Sequence, residues 1–333
     1  MVRQNHSRSI QQTITEMLRS EGGRFISGQE ICQELGVSRT TVWKHVNELR
    51  DQGYVIKSIP RKGHKLIAAP DTLSAWELNP WLTTEFLGRR VEHYFSVKST
   101  NLIAKDLARQ GAADGTVVTT EHQSAGRGRS NRSWFSEESA GIQMSLILRP
   151  STPPHSASVI TQIGAAAVAL ALEAQGFAPA IKWPNDVLLS DRKVCGILTE
   201  MSCELDRIEH IVVGIGINVH TRRFPDDIAE VATSLLLEGG ENLKRQALAG
   251  AVLNEFEPLY TRGLLGDVEP ALSVCRRLSW LRGKNVSFEQ DGVIRTGTAG
   301  DVDSKGRLEV EIDDGHRELL LSGEVHLGTG PGR

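Results

Sequence analysis

The sequence predicts an α+β chain in three parts, residues 1–68, 69–275 and 276–333. Three patterns carry this prediction. Apolar residues recur at helical spacing in the first 50 residues and lead into a basic hairpin. Strand-like and helix-like runs alternate through the middle, several strands being joined by turns too short for parallel crossovers. Four short strands with glycine-containing turns close the chain.

In the first part Ile10, Ile14, Met17 and Leu18 share a helix face, and Gly22-Gly23 stops the run. Ser27-x-x-Glu30 is a capping box that opens a short helix carrying Ile31 and Leu35, broken at Gly36. Ser38 can cap a third helix, in which Val42, Val46 and Leu49 face inward, and Gly53 ends it. Tyr54-Val55-Ile56 and Leu66-Ile67 read as two strands around the basic turn 57–65, which includes Arg61 and Lys62. Helix, short helix, turn, helix and basic hairpin make a winged helix-turn-helix. Its third helix would present Ser38 at its start, then Arg39, Thr40, Thr41, Lys44 and His45, types that reach base edges and phosphates. Such cations can also form a plain solvated face. Charge favours DNA: residues 1–70 hold 11 Lys/Arg and 6 Asp/Glu, net +5, whereas the remaining 263 residues are net −8.

Residues 68–95, Ala-Ala-Pro-Asp and then a stretch with Trp76, Pro80 and Trp81, read as a connector that ends in a helix. Strand-like runs follow at 115–120, 142–148, 187–189, 193–198 and 208–214, with helix-like runs at 101–110, 158–175 and 243–262. The short Leu189–Lys193 turn favours a mixed or mostly antiparallel sheet. From Trp280 on, strands at 284–290, 296–301, 307–312 and 317–321 are joined by Asp291-Gly292, Ser304-Lys305-Gly306 and Asp313-Asp314-Gly315 turns, as in a small SH3-like barrel.

Composition excludes several classes. With 39% hydrophobic and 24% charged residues, the 333-residue chain is globular rather than disordered or fibrous. The longest apolar stretch, Ile163–Leu172, falls short of the roughly 18 residues of a membrane span, and no apolar signal core follows Met1, so no membrane association and a cytoplasmic location are expected. Cys32, Cys195, Cys203 and Cys275 lack zinc spacing and read as reduced thiols.

Two segments are dense in chemistry. Gly126-Arg127-Gly128-Arg129-Ser130-Asn131-Arg132-Ser133-Trp134 holds three arginines and two glycines within seven residues. Glycines let backbone approach a polyanion, guanidiniums pair with phosphate or carboxylate, and Trp134 offers a stacking face; a solvated basic loop is the bland alternative. Lys182-Trp183-Pro184-Asn185-Asp186 groups a cation, an aromatic, an amide and a carboxylate, with Lys193 a hairpin away. It could equally be a tight turn with a salt bridge. Nucleotide signatures are near misses: Gly214-Ile215-Gly216 has Val219 where a third glycine belongs, and Lys98-Ser99-Thr100 lacks the Walker glycines, with Glu92 and Val97 in their places.

Taken in order, Ser99-Thr100-Asn101, Glu121 to Arg129, Lys182 to Asp186, Lys193 to Leu198 and Gly214-Ile215-Gly216-Ile217-Asn218 closely resemble the bacterial biotin protein ligases, from about Ile10 to Leu327. With its N-terminal winged helix the chain resembles the bifunctional class, ligase plus biotin operon repressor. The resemblance implies a central domain of the class II synthetase/biotin ligase type. It also implies two half-reactions. Biotin and Mg·ATP give biotinyl-5′-AMP and pyrophosphate, and the biotinyl group then passes to a lysine of the biotin carboxyl carrier protein of acetyl-CoA carboxylase.

By the same resemblance Ser99, Thr100, Asn101, Gln123, Gly126, Arg127, Gly128, Arg129 and Lys193 bind biotin. Arg127, Arg132, Trp134, Asn185 and Asn218 bind the adenylate, Trp134 over the adenine. Arg129, Lys193, Asp186 and Lys182 are the catalytic set; Asp186 either ligates Mg²⁺ or accepts the acceptor lysine's proton, and Lys182 is either catalytic or structural. The adenylate-bound form is expected to be a homodimer on biotin operator DNA. One departure stands out: the family loop reads Gly-Arg-Gly-Arg-Arg-Gly-Arg, and Ser130-Asn131 replace the Arg-Gly pair, which bears on how tightly the loop closes. Two other readings stay in view, a biotin-sensing repressor without catalysis and a lipoate-type ligase.

Overall fold

The computed structural model describes residues 2–151, 159–204, 207–290, 292–312, 315–321 and 323–328, with side chains from residue 10 on. The predicted turn residues Asp291, Asp313 and Asp314 and the helix start at Ser158 lie outside the described residues. The chain divides into two compact units, Met1–Asp71 and Thr72–Arg333.

In the first unit α1 (Val2–Ser20), α2 (Gly28–Leu35) and α3 (Arg39–Asp51) precede a hairpin of β1 (Val55–Ile59) and β2 (Gly63–Ala68). Ile10, Ile14, Leu18, Ile31, Val42, Val46, Leu49 and Ile56 form its core. The capping box is reciprocal: Glu30 N–H donates to Ser27 Oγ at 3.1 Å, and Ser27 N–H donates to Glu30 Oε2 at 2.7 Å. Ser38 Oγ accepts from the Thr41 N–H at 3.2 Å and so caps α3. The hairpin strands run further than the sequence predicts and leave only Pro60–Lys62 as the turn. One expectation fails. His45 is buried at 5% exposure, its Nδ1 2.7 Å from Glu48 Oε2, because it sits one step before Val46 on the inward side of α3.

The second unit starts with α4 (Ala75–Leu78) and a 3-10 turn at Asn79–Trp81, then β3 (Val91–Val97). The connector thus has its helix at the start and a strand at the end, the reverse of the prediction. Next come α5 (Thr100–Arg109), β4 (Val117–Gln123), β5 (Gly141–Leu148), α6 (Ile160–Ala174), β6 (Ala180–Lys182), β7 (Asp186–Leu189), β8 (Arg192–Glu204), β9 (Arg207–Asn218), α7 (Arg245–Leu264) and α8 (Glu269–Arg277). The seven-stranded sheet has the order β3-β4-β5-β9-β8-β7-β6, with β3 parallel to β4 and every other pair antiparallel.

Strand alternation gives this sheet two apolar faces. Val118, Ile147 and Val212 pack on Ala104 and Ala108 of α5. Their neighbours Val117, Leu146, Leu148, Ile211 and Val213 join the core of α6 and α7 on the other side. Helix α6 is therefore apolar nearly all round, as an internal helix must be.

The last part is an antiparallel sheet of five strands among the described residues, not four: β10 (Asn285–Gln290), β11 (Val293–Val302), β12 (Leu308–Ile312), β13 (Arg317–Leu320) and β14 (Val325–Leu327), ordered β13-β12-β11-β10-β14. Strand β14 is three residues long and pairs with β10, a partner distant in sequence. Val286, Phe288, Val302 and Leu308 continue the core of the unit.

Candidate active site

Two polar positions in β5, Gln143 and Ser145, interrupt a fully buried strand and share one face by alternation. Toward them turns the N-terminus of α5. Thr100 N–H donates to Gln123 Oε1 at 2.8 Å, and Gln123 Nε2 donates to Gln143 Oε1 at 3.2 Å. Ser145 Oγ donates to Asn101 Oδ1 at 2.6 Å. The opposite wall is β8 and β9, where glycine is sterically required. A Cβ on Gly214 would lie 2.2 Å from Asn101 Oδ1, and one on Gly216 would lie 2.6 Å from the Trp134 ring. The Gly-Ile-Gly segment, a failed dinucleotide signature, is thus a floor for two side chains. Ser99, Thr100, Asn101, Gln123, Arg127 and Gly214 border this small pocket.

The arginine loop folds over it. Trp134 N–H donates to Gly126 O at 2.9 Å and Gly128 N–H to Arg132 O at 2.7 Å, closing the loop on itself. Ser130 and Asn131 take left-handed backbone conformations, φ 51° and 58°; asparagine tolerates this region well and serine less so. The Trp134 indole lies on the glycine floor and donates from Nε1 to Gln143 Oε1 at 3.0 Å. Arg129 donates to Asn185 Oδ1 at 3.1 Å and to Gly323 O at 3.2 Å, while Arg132 pairs with Glu324. Arg127 lies 3.7 Å from Glu200, which also binds Asn101 and Lys105. Burial alone would raise the Glu200 pKa, but these hydrogen bonds and cations hold it below the ordinary carboxylate value.

Beyond Trp134 the pocket opens into a cavity of about 590 Å³. Arg132, Lys182, Asn185, Asp186, Lys193 and Asn218 line it. Lys193 Nζ is 2.7 Å from Asp186 Oδ1, and Asn185 Nδ2 donates to Ile197 O at 3.0 Å. Burial pulls the Lys182 ammonium below the usual lysine pKa, only partly offset by Asp186; its Nζ lies 5.6 Å from the Trp280 ring centroid. Trp183 is tied to the C-terminal sheet through Nε1 to Gly306 O at 3.0 Å. Among the described residues no three His, Cys, Asp or Glu side chains are grouped to cage a metal. Asp186, one of three carboxylates in the lining with Asp191 and Glu324, suits a Mg²⁺ that arrives on phosphates and keeps its waters.

The predicted small-molecule residues line two adjoining cavities, except Gly126, which is buried at the base of the loop and accepts the Trp134 N–H. The predicted DNA residues belong to the other unit, where Arg39, Thr40, Lys44, Arg61 and Lys62 are exposed and Thr41 is half-buried, its hydroxyl 2.9 Å from that of Ser38. Sequence reasoning missed Gln143, Ser145, Glu200, Phe224, Trp280 and Glu324. The polar alternation inside Ile142–Leu148 was a usable signal for the first two; the others come from remote segments.

Three family models match: the biotin/lipoate A/B protein ligase family over residues 94–218, an HTH domain over 10–65, and the biotin protein ligase C-terminal domain over 282–328. The bifunctional ligase/repressor BirA of Bacillus spizizenii is 38% identical over 96% of this chain and 99% of its own length. A biotin–[acetyl-CoA-carboxylase] ligase of Mycobacterium tuberculosis is 33% identical over 72% of this chain and 90% of that one. The solved biotin protein ligase of Aquifex aeolicus in complex with biotin and ATP is 26% identical, with a TM-score of 0.62 over 73% of this chain and all of that one. Among the described residues no helix is long and apolar enough to cross a membrane. The double cavity lined by arginines and lysines, the helix-turn-helix unit and near full-length likeness agree: the chain belongs to the bifunctional biotin protein ligase/repressor family.

Proposed function

We propose that the chain joins biotin to AMP, passes the biotinyl group to a lysine of the biotin carboxyl carrier protein of acetyl-CoA carboxylase, and in its adenylate-bound form dimerises on biotin operator DNA. One observation carries the reading: the small pocket and the large cavity share Gly128, Arg129, Trp134, Asn185 and Lys193 in their walls. A ligand that spans both has its junction beside two cations.

In this reading Ser99, Thr100, Asn101, Gln123 and the Gly126–Arg129 backbone hold the ureido ring and valeryl chain. Lys193 meets the carboxylate. Trp134 covers the adenine; Asn185, Asn218 and the Phe135–Phe224 edge, with ring centroids 6.0 Å apart, hold the rest of the nucleoside, and Arg132 and Lys182 face its phosphates. A carboxylate is already ionised at neutral pH, so the first step needs no general base. Its oxygen attacks the α-phosphorus, the bond to the bridging oxygen breaks, and pyrophosphate leaves with the electron pair. The protein's contribution is to hold two anions together and neutralise the charge that builds between them. Mg²⁺, held by Asp186 and the phosphates, would neutralise charge on the triphosphate. In the second step the acceptor lysine's amine attacks the acyl carbon and AMP departs. Asp186, which lines the cavity 2.7 Å from Lys193, then accepts the amine's proton.

The test offers radiolabelled ATP with biotin or with lipoate. Biotinyl-adenylate and pyrophosphate should form with biotin alone; products with lipoate only, or none at all, overturn the assignment. Sedimentation with and without biotin and ATP tests dimerisation, and an unchanged mass counts against it.

A further inference from the structure

On α3 the inward set Val42, His45, Val46 and Leu49 leaves Arg39, Thr40, Trp43 and Lys44 on the outward face. Trp43 is 61% exposed. It lies one helical turn from Arg39 and directly precedes Lys44. A single exposed apolar side chain is ordinary on a protein surface. This one sits between two cations, in a module of net charge +5 whose hairpin adds exposed Arg61 and Lys62.

The cations Arg39 and Lys44 supply phosphate affinity and can reach the acceptor edge of guanine, but neither is matched to an apolar base feature. Reading a base needs a group matched to a base edge, and Thr41, which sequence periodicity turned outward, spends its hydroxyl on Ser38 while His45 is buried. In the major groove the apolar feature that a base pair displays is the thymine 5-methyl group. An indole on the outward face of the helix is shaped to cover it. Resting on the repressor reading above, we propose that Trp43 is a specificity-determining residue that packs against a thymine methyl in each operator half-site, in place of the contact that periodicity assigned to His45.

The experiment uses the full chain with biotin and ATP. Duplexes are selected from a randomised library, and each thymine of the enriched site is then replaced by uracil, which removes the methyl alone. Wild type should lose about fourfold in affinity at one position per half-site, the worth of one buried methyl-sized group. Trp43→Ala should bind more weakly, show no uracil effect at that position, and keep the salt dependence of wild type, since no phosphate contact is lost. Trp43→Phe should retain part of the uracil effect. The proposal falls if Trp43→Ala enriches the same site with an unchanged uracil profile, or if the variant alters oligomerisation but not base preference. If the wild type enriches no sequence, the repressor reading falls and takes this inference with it.

Discussion

Arg129 is held at both sides of its guanidinium, by Asn185 Oδ1 and by the Gly323 carbonyl, so one side chain ties the flap to the Asn185 turn and to the C-terminal sheet. Losing two bonds from a charged donor frees the flap from both. Arg129→Gly should therefore still make adenylate but release it, and carrier-free labelling of bulk protein should rise by on the order of tenfold or more. Streptavidin blots of a bystander protein measure this; no rise means the arginine does not retain the intermediate. Gly216 makes a second prediction. An added methyl would sit 2.6 Å from the Trp134 ring, so Gly216→Ala must push the indole off its floor and break the 3.0 Å bond to Gln143. The KM for biotin should rise about tenfold, the worth of one hydrogen bond, with little change in unfolding midpoint. At this scale the sequence was informative wherever charge is dense: Arg127, Arg129, Lys182, Asp186 and Lys193 were all legible. Gln143, Glu200 and Glu324 were not, since a lone polar residue inside a strand or a distant loop becomes part of a site only once the sheet has formed.

Elements were legible to the extent that their periodicity was undivided. Helices α3 and α5 and strands β5 and β9 fall near their predicted positions, because one face of each is continuously apolar. Strand β3 was missed: Val91-Glu92-His93-Tyr94-Phe95 mixes charge and aromatics, as an edge strand with one partner can. Strand β6 has three residues, too few for spacing to resolve, and α8 starts at Glu269-Pro270 without the side-chain cap that marked α2. What joins the elements was also hidden. Glu121 on β4 and Arg245 on α7 form an ion pair at 2.8 Å with side chains only 1% and 0% exposed, and Glu121 Oε1 accepts the Leu73 N–H at 2.8 Å. Arg245 further donates to Gly141 O at 3.0 Å. A buried pair is weak evidence for stability as such, but removing one partner strands the other charge. Glu121→Gln should cost about 3–5 kcal/mol in urea unfolding. Glu121→Leu combined with Arg245→Met should recover most of that. A loss under 1 kcal/mol in the single variant would mean that water reaches the arginine.

For the whole molecule, the decisive feature is that the two units keep separate apolar interiors. Met1–Asp71 buries Ile14, Leu18, Ile31, Val46 and Leu49. The core that runs under the large sheet and through the C-terminal strands draws all its residues from Leu73 onward. Every residue of the double cavity also belongs to the second unit. A ligand stabilises only the structure that binds it, by RT ln(1 + [L]/Kd), or about 4 kcal/mol at a thousandfold excess over Kd. Calorimetry should therefore resolve two transitions. Biotin with ATP and Mg²⁺ should raise the one belonging to Thr72–Arg333 by roughly 10 °C at that excess, given the usual few degrees per kcal/mol for a unit of this size. The transition of Met1–Asp71 should stay where it is until duplex DNA carrying the operator is added. Should biotin and ATP instead move both transitions together in the absence of DNA, the units unfold as one, and the vitamin site reaches the DNA-binding helices through the fold of a single chain rather than through a change in how two chains pair.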